Sequence, residues 1–278
     1  SKFVRKDPVY LDFYGLSEPP FSITPSPRFL FYSAKHREAF NHLLYGVRER
    51  KGFVQLTGEV GAGKTTICRA MLEKLTEEFE TALILNPVLD ANGLMKAIAM
   101  EFGIDVQGKD RVDTLSAINV FLLGLVEHGK DAVLIIDEAQ DLTDELLEQV
   151  RLLSNLETDD QKLLQIVLMG QPELRDRLNA HNLRQLRQRI TVRYHLQPLG
   201  RDEMLNYIQH RLHVSGGNGA PYFTKGAIWR VHRYTKGIPR LINALCDKCL
   251  LAGFVNQTEQ IDFQLTGRAI RELEGKGV

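Results

Sequence analysis

The sequence predicts an α/β core followed by an all-helical domain, and three observations carry that prediction. Strand-length segments rich in apolar residues recur at Phe53–Leu56, Thr81–Asn86, Ala132–Glu138 and Leu163–Met169, with helical patterns between them and a fifth strand expected at Thr191–Leu196. Near-continuous apolar strands such as Ala132–Ile136, alternating with helices, indicate a parallel sheet, here of five strands, buried on both faces by flanking helices. From Pro198 onward, helical patterns at 201–213, 224–234, 238–252 and 262–272 follow one another with no strand expected between them. The sequence therefore divides into an aromatic and proline-rich strap (1–32), an α/β core (33–197) and a helical domain (198–278).

Bulk properties fit this division. A chain of 278 residues is long enough for about two cores. Apolar content of 44% and charged content of 25% are those of an ordinary globular protein. Lys plus Arg equals Asp plus Glu at 35 each, so a strongly basic coat for nucleic acid is absent and nucleic acid is not an expected partner, although a local basic patch stays open. Three cysteines without framework spacing fit a reducing compartment. No apolar run approaches the ~18 residues needed to span a bilayer, and the first residues carry no signal-peptide pattern.

In chain order, residues 1–30 hold Tyr10, Phe13, Tyr14, Pro19-Pro20-Phe21, Pro25, Pro27 and Phe29. The prolines exclude a long helix. So many rings imply packing across the surface of the core, either as a plain strap or as a wall for an adenine ring. Ser33 is a helix N-cap, followed by Phe40, Leu43, Leu44 and Val47 on one face, and Lys51-Gly52 closes that helix. Pro87 ends the second strand, and helices are expected near 92–102, 112–128 and 143–157. The fifth strand is expected to be the shorter one. Gly216-Gly-Asn-Gly219 breaks the first pair of helices in the last domain.

The chemistry concentrates in two places. Gly58-Glu-Val-Gly-Ala-Gly63-Lys64-Thr65-Thr66 follows the first strand and opens a helix carrying Ile67, Ala70, Met71 and Leu75. This is the context a phosphate-binding loop requires. Glycines let backbone N–H groups turn inward into a nest for phosphate oxygens, and the helix N-terminus adds positive potential. Residues Gly58, Glu59, Val60, Gly61, Ala62, Gly63, Lys64, Thr65 and Thr66 are thus the candidate nucleotide-binding set. Lys64 reaches the outer phosphates, and the Thr65 hydroxyl holds Mg²⁺. The third strand ends in Asp137-Glu138. Such a pair is a weak signal by itself and a strong one downstream of a phosphate loop. Asp137 is the second candidate metal residue, and Glu138 is the candidate base for an attacking water.

At this point the chain resembles a known family. Phe13-Tyr-Gly-Leu16, Pro20-Phe21, Thr24-Pro-Ser-Pro-Arg-Phe-Leu30, Gly52-Phe53, Thr57-Gly-Glu-Val-Gly61, Asp137-Glu-Ala-Gln140, Gly170-Gln-Pro-Glu-Leu174 and Gly237-Ile-Pro-Arg240 look like the AAA+ ATPases of the general secretion pathway protein A (ExeA) type. Pilus-biogenesis ATPases of the MSHA type are similar. The resemblance covers nearly the whole chain. It implies a P-loop NTPase core with a helical lid, ATP/ADP and Mg²⁺ as cofactors, and self-association into a nucleotide-dependent oligomer. It further implies a cytoplasmic ATPase that helps assemble a type II (secretin) secretion or pilus machine with that machine's components. Contact with the membrane would come through a segment outside this sequence, the chain being the cytoplasmic part of an inner-membrane protein or a short relative.

The resemblance also suggests roles for single residues. Gln171 is the polar residue near the γ-phosphate and water. Asn86 either makes a loop hydrogen bond or turns the catalytic carboxylate away. Arg240, presented by Pro239, senses the nucleotide. Among Arg184, Arg187, Arg189 and Arg193, Arg189 best fits an arginine finger acting on a neighbouring subunit, with Arg187 second. Two other functions stay open: a DNA-loading AAA+ regulator of the transposition or replication type, and a nucleotide-gated scaffold with little turnover. Cys246-x-x-Cys249 reads as two small core residues, and Cys68 as an oxidisable thiol without a catalytic role. His36, His42, His181 and His232 form no ligand set. Trp229 reads as core of the helical domain.

Overall fold

The computed structural model describes residues 8–22, 33–87, 90–158 and 161–276. They fall into two compact units. Among the described residues, one comprises 35–59 and 67–196; the other comprises 8–22, 33–34, 60–66 and 197–276.

The α/β unit is built on a parallel sheet of β1 (Phe53–Gly58), β2 (Phe79–Ile84), β3 (Asp131–Ile136), β4 (Leu164–Gly170) and β5 (Ile190–Leu196). Their order in space is β2-β3-β4-β1-β5. The inner strands β1 and β4 are buried at every residue, the polar Gln55, Thr57 and Gln165 included, whereas the edge strand β5 alternates and exposes Thr191 and Arg193. β5 is seven residues long, as long as β4 and not shorter than the rest.

Helices α2 (Ala34–Arg48), α3 (Lys64–Leu75), α4 (Ala91–Glu101), α5 (Arg111–Glu127) and α6 (Asp144–Leu153) follow the expected pattern, and Asp90, Asp110 and Thr143 cap α4, α5 and α6 through their side-chain oxygens. Two further helices, α7 (Pro172–Leu178) and α8 (Arg184–Arg189), were not expected. At seven and six residues they are too short to show a helical period.

Chain order and sheet order together create a special place. The chain leaving β1 passes through α3 to β2 at one edge, and the chain leaving β4 passes through α7 and α8 to β5 at the other. Neighbouring strands whose connections depart in opposite directions open a crevice at their carboxyl ends, where ligands of parallel sheets bind. The register sets what lies there. Thr57 pairs with Gly170, Leu56 with Met169 and Ile136 with Leu168. The residues after Ile136 therefore stand level with the ends of β1 and β4, on the same edge of the sheet.

The helical unit contains α9 (Arg201–Val214), α10 (Lys225–Thr235), α11 (Pro239–Val255) and α12 (Phe263–Leu273). Against expectation it also contains a small parallel pair, β6 (Tyr222–Phe223) with β7 (Gln260–Ile261). Strands of two residues leave no periodicity to read.

The described part of the aromatic N-terminal segment packs into this unit's own core. Its one short helix is α1 (Leu11–Tyr14). Tyr10, Leu11, Tyr14, Leu16 and Phe21 are buried with Met204, Ile208, Leu245, Cys249 and Leu250. The Tyr14 hydroxyl donates to the Leu250 carbonyl at 2.9 Å, and the buried Arg211 donates to the carbonyls of Pro20 and Ser22. Phe29 and the motif 24–30 lie outside the described residues.

Trp229 is not core. It is 42% exposed, beside Phe263 and under the Arg233 guanidinium, because Ala227, Ile228 and Val231 take the inner face of α10. No helix among the described residues is long and apolar enough to cross a membrane.

Candidate active site

β1 ends at Gly58 and α3 begins at Lys64, so the glycine loop joins a buried strand directly to a helix N-terminus. Gly61 and Gly63 hold φ of 78° and 105°, in the region that residues with a Cβ avoid. That is the backbone a nest of inward N–H groups needs. Glu59 and Val60 are exposed at the outer part of the loop, Gly61, Gly63, Thr65 and Thr66 are half-buried, and Ala62 and Lys64 are buried.

Within the helical unit the loop meets Arg240. The Arg240 N–H, one of the unsatisfied donors at the start of α11, donates to the Gly61 carbonyl at 3.2 Å. Pro239 is the first residue of that helix, where a missing N–H costs nothing. The turn before it depends on Gly237, whose φ is 77° and whose missing Cβ would stand 2.0 Å from the Leu199 carbonyl oxygen.

In the α/β unit, Asp137 and Glu138 follow β3 directly. The Asp137 N–H donates to the Ile84 carbonyl, extending the β2–β3 pairing by one step and fixing where the carboxylate leaves the sheet. Asp137 is buried. Its charge is felt by the Cys68 thiol on the second turn of α3, which burial first and Asp137 second push up to about 12.

Glu138 is in the left-handed region at φ 51°, ψ 39°, a conformation a non-glycine residue keeps only under constraint. Its Oε2 accepts from Gln140 Nε2 at 2.6 Å and from Gln171 Nε2 at 3.4 Å. Gln171, the N-cap residue of α7, thus reaches the carboxylate of Glu138. In the sequence Gln140 stands only as the last residue of the motif Asp137-Glu-Ala-Gln140. Its role follows from a 3-10 turn at Ala139–Asp141 that folds its amide back over Glu138, and sequence alone carries no signal for that turn.

Asn86 is exposed with φ of 52° and has no hydrogen bond to Glu138. Arg189 Nη1 donates to the buried Ser154 hydroxyl at 2.7 Å, Arg187 donates to the Asn179 carbonyl, and Arg193 to the Arg187 carbonyl. Arg184 is exposed on the first turn of α8. Cys246 and Cys249 are fully buried in the helical core, as expected for small core residues. Cys68 differs from expectation, because a buried thiol with a raised pKa resists oxidation. Among the described residues no three His, Cys, Asp or Glu gather as a metal site.

Comparison with known proteins bears on this geometry. The family model of the AAA domain matches residues 47–178. General secretion pathway protein A of Aeromonas hydrophila is 46% identical over 273 residues, covering 97% of this chain and 50% of that protein. The chain thus spans about half the length of the curated relative it matches. Among solved structures, the Aeropyrum pernix ORC2 protein in ADPNP–ADP complexes has a TM-score of 0.67 at 14% identity, covering 88% of this chain and 68% of that one. Drosophila ORC bound to DNA has a TM-score of 0.64 at 17% identity, covering 99% and 68%. The Thermotoga maritima RuvB branch-migration motor has a TM-score of 0.59 at 18% identity, covering 87% and 70%. At these identities the solved structures speak for the fold alone.

Proposed function

From the premise that this chain belongs to the AAA family and is a relative of general secretion pathway protein A, we propose that it is a Mg²⁺-dependent ATP hydrolase. We further propose that it works as an oligomer in assembling a type II secretion or pilus machine on the cytoplasmic side. The observation that carries the reading is a glycine loop that runs from a buried strand into a helix beginning with a buried lysine, together with an acidic pair that ends the strand two places away in the same sheet.

The residues fit the cofactors. Backbone N–H groups of Gly61 to Lys64 suit phosphate oxygens, and the Lys64 ammonium suits the outer phosphates. Mg²⁺ takes one or two carboxylates plus phosphate oxygens and waters, so Asp137 and Thr65 suffice to hold it. When bound, the metal neutralises charge on the phosphates. Glu138 accepts the proton of the attacking water, and Gln171 orients that water. Arg240 on the helical unit adds positive charge at the loop, and Arg189 is the residue that acts on a neighbouring subunit. The secretion role rests on the relative's name, and the neutral net charge favours it over loading onto DNA.

The test pairs two variants. Lys64→Ala should lose ATP affinity by at least ~10-fold, and Glu138→Gln should bind ATP normally while hydrolysing at least ~100-fold more slowly. Normal hydrolysis by Glu138→Gln would overturn the catalytic assignment. Absence of Mg²⁺-ATP binding by the wild type would overturn the whole reading.

A further inference from the structure

Glu138 is held in a place and a conformation it would not adopt alone, and the contacts that hold it converge on one side chain. We propose that Gln140 is the positioning residue that decides which oxygen of Glu138 faces the reacting water. This rests on the reading of Glu138 as the base.

The amide of Gln140 is fixed at both ends. Its Oε1 accepts the backbone N–H of Gln171 at 3.1 Å, and its Nε2 donates to Glu138 Oε2 at 2.6 Å. Chemistry settles the orientation. A backbone N–H can only donate and a carboxylate can only accept, so a flipped amide would lose both bonds and set like dipoles against each other.

The space is fixed as well. Gly170 closes β4, and a Cβ there would stand 2.5 Å from Gln140 Oε1, so only glycine lets the amide approach this backbone. The turn carrying Gln140 is clamped from behind. Arg177 Nη1 donates to the carbonyls of Gln140 and Leu142 at 2.5 and 2.6 Å, and its Nη2 donates to Asp144 Oδ1 at 2.7 Å. The ends of β3 and β4 are thereby tied through one neutral amide.

The consequence for Glu138 is asymmetric. Oε2 receives both amide donors, Gln140 and Gln171, whereas Oε1 receives no hydrogen bond from the described residues. A base needs a lone pair facing its proton donor in a fixed direction. The Gln140 amide engages one oxygen, stabilises the left-handed backbone at Glu138 through its side chain, and leaves the other oxygen free to accept. Because the donor is neutral it adds no competing charge.

The experiment is a double-mutant cycle on the intact chain, measuring kcat and KM for ATP hydrolysis, affinity for a fluorescent ATP analogue, and Tm. Gln140→Met preserves length and removes the donor. It should lower kcat by ~10–100-fold while KM and analogue affinity change less than twofold. In a Glu138→Gln background it should lower the residual rate no further, because a positioning residue has nothing left to position. Gln140→Ala, which removes the donor with a smaller, neutral side chain, should lose kcat to the same extent and serves if the methionine variant does not fold.

Folded Gln140 variants with kcat within twofold of wild type would overturn the inference, as would an equal loss of rate in the Glu138→Gln background. Failure of the underlying reading looks different: there the wild type does not hydrolyse ATP, or Glu138→Gln is as active as wild type.

Discussion

The main-chain N–H of Arg240 donates to the main-chain carbonyl of Gly61 at 3.2 Å, and a methyl group added to Gly61 would stand 2.5 Å from the Arg240 Cβ. The start of α11 and the glycine loop thus share one contact that belongs to the backbone and one side chain that does not. The two parts can be separated by mutation. Arg240→Ala retains the backbone bond, so Tm should stay within a few degrees. ATP affinity should fall ~10-fold from loss of the guanidinium. Gly61→Ala, with φ of 78° and a clash, should lower both. Equal ATP affinity in Arg240→Ala and wild type would remove Arg240 from the nucleotide set.

Gly237 makes a sharper stability prediction. Its Cβ would meet a carbonyl oxygen of the backbone at 2.0 Å, and its φ is 77°. Gly219 also has a positive φ, 94°, yet open space around it. Gly237→Ala should therefore cost at least ~2 kcal/mol and Gly219→Ala about 1 kcal/mol. Urea midpoints of the two variants would show the order, and the reverse order would contradict the packing.

Thiol chemistry should be silent in the native state. Cys68, Cys246 and Cys249 are all buried, and burial raises each thiol above its ordinary value, to about 12 for Cys68 and Cys249. A thiolate is the reacting species. Ellman's reagent should find no reactive cysteine before denaturation and three afterwards. Rapid modification of Cys68 with loss of activity would argue against the buried placement.

Stability should fall on mild acidification. Burial, and then the charges of Arg211 and His213, hold His210 below its ordinary pKa of 6.5. A base with a depressed folded pKa binds its proton more readily when unfolded. Its contribution is therefore complete above 6.5 and is lost as pH falls below that value towards the folded pKa. The urea midpoint should drop between pH 7 and 5, and His210→Gln should flatten that drop. An unchanged slope in the variant would assign the effect elsewhere.

Arg189 carries the prediction about assembly. In this structure it donates to Ser154 within its own chain. If it acts in trans, specific ATPase activity rises with protein concentration, and Arg189→Ala abolishes the rise while ATP binding is kept. A trans-acting arginine can contribute 10³–10⁵ in rate, so the loss should be large. Specific activity that stays flat over the assembly range would count against the role.

Much of this protein is legible in its sequence, because the informative signals are local. A buried parallel strand writes itself as an apolar run, and a phosphate loop needs its glycines, lysine and threonine contiguous between strand and helix. Phe53 to Thr66 is therefore readable without a structure, as is Ala132 to Glu138. The AAA resemblance followed from such segments. Tertiary structure decided whatever depends on distant segments meeting. Tyr10, Tyr14 and Phe21 read as a strap over the core, but the pockets that fit them are made by α9 and α11. Trp229 read as core, yet the helix turned its neighbours inward instead. Gln140 meets Glu138 and Gln171 only because the register of β3 against β4 brings Gly170 and Gln171 beside the turn after Glu138. Composition and periodicity record which face of an element is apolar. They do not record which element it meets, and the positioning of the Glu138 carboxylate is a property of that meeting.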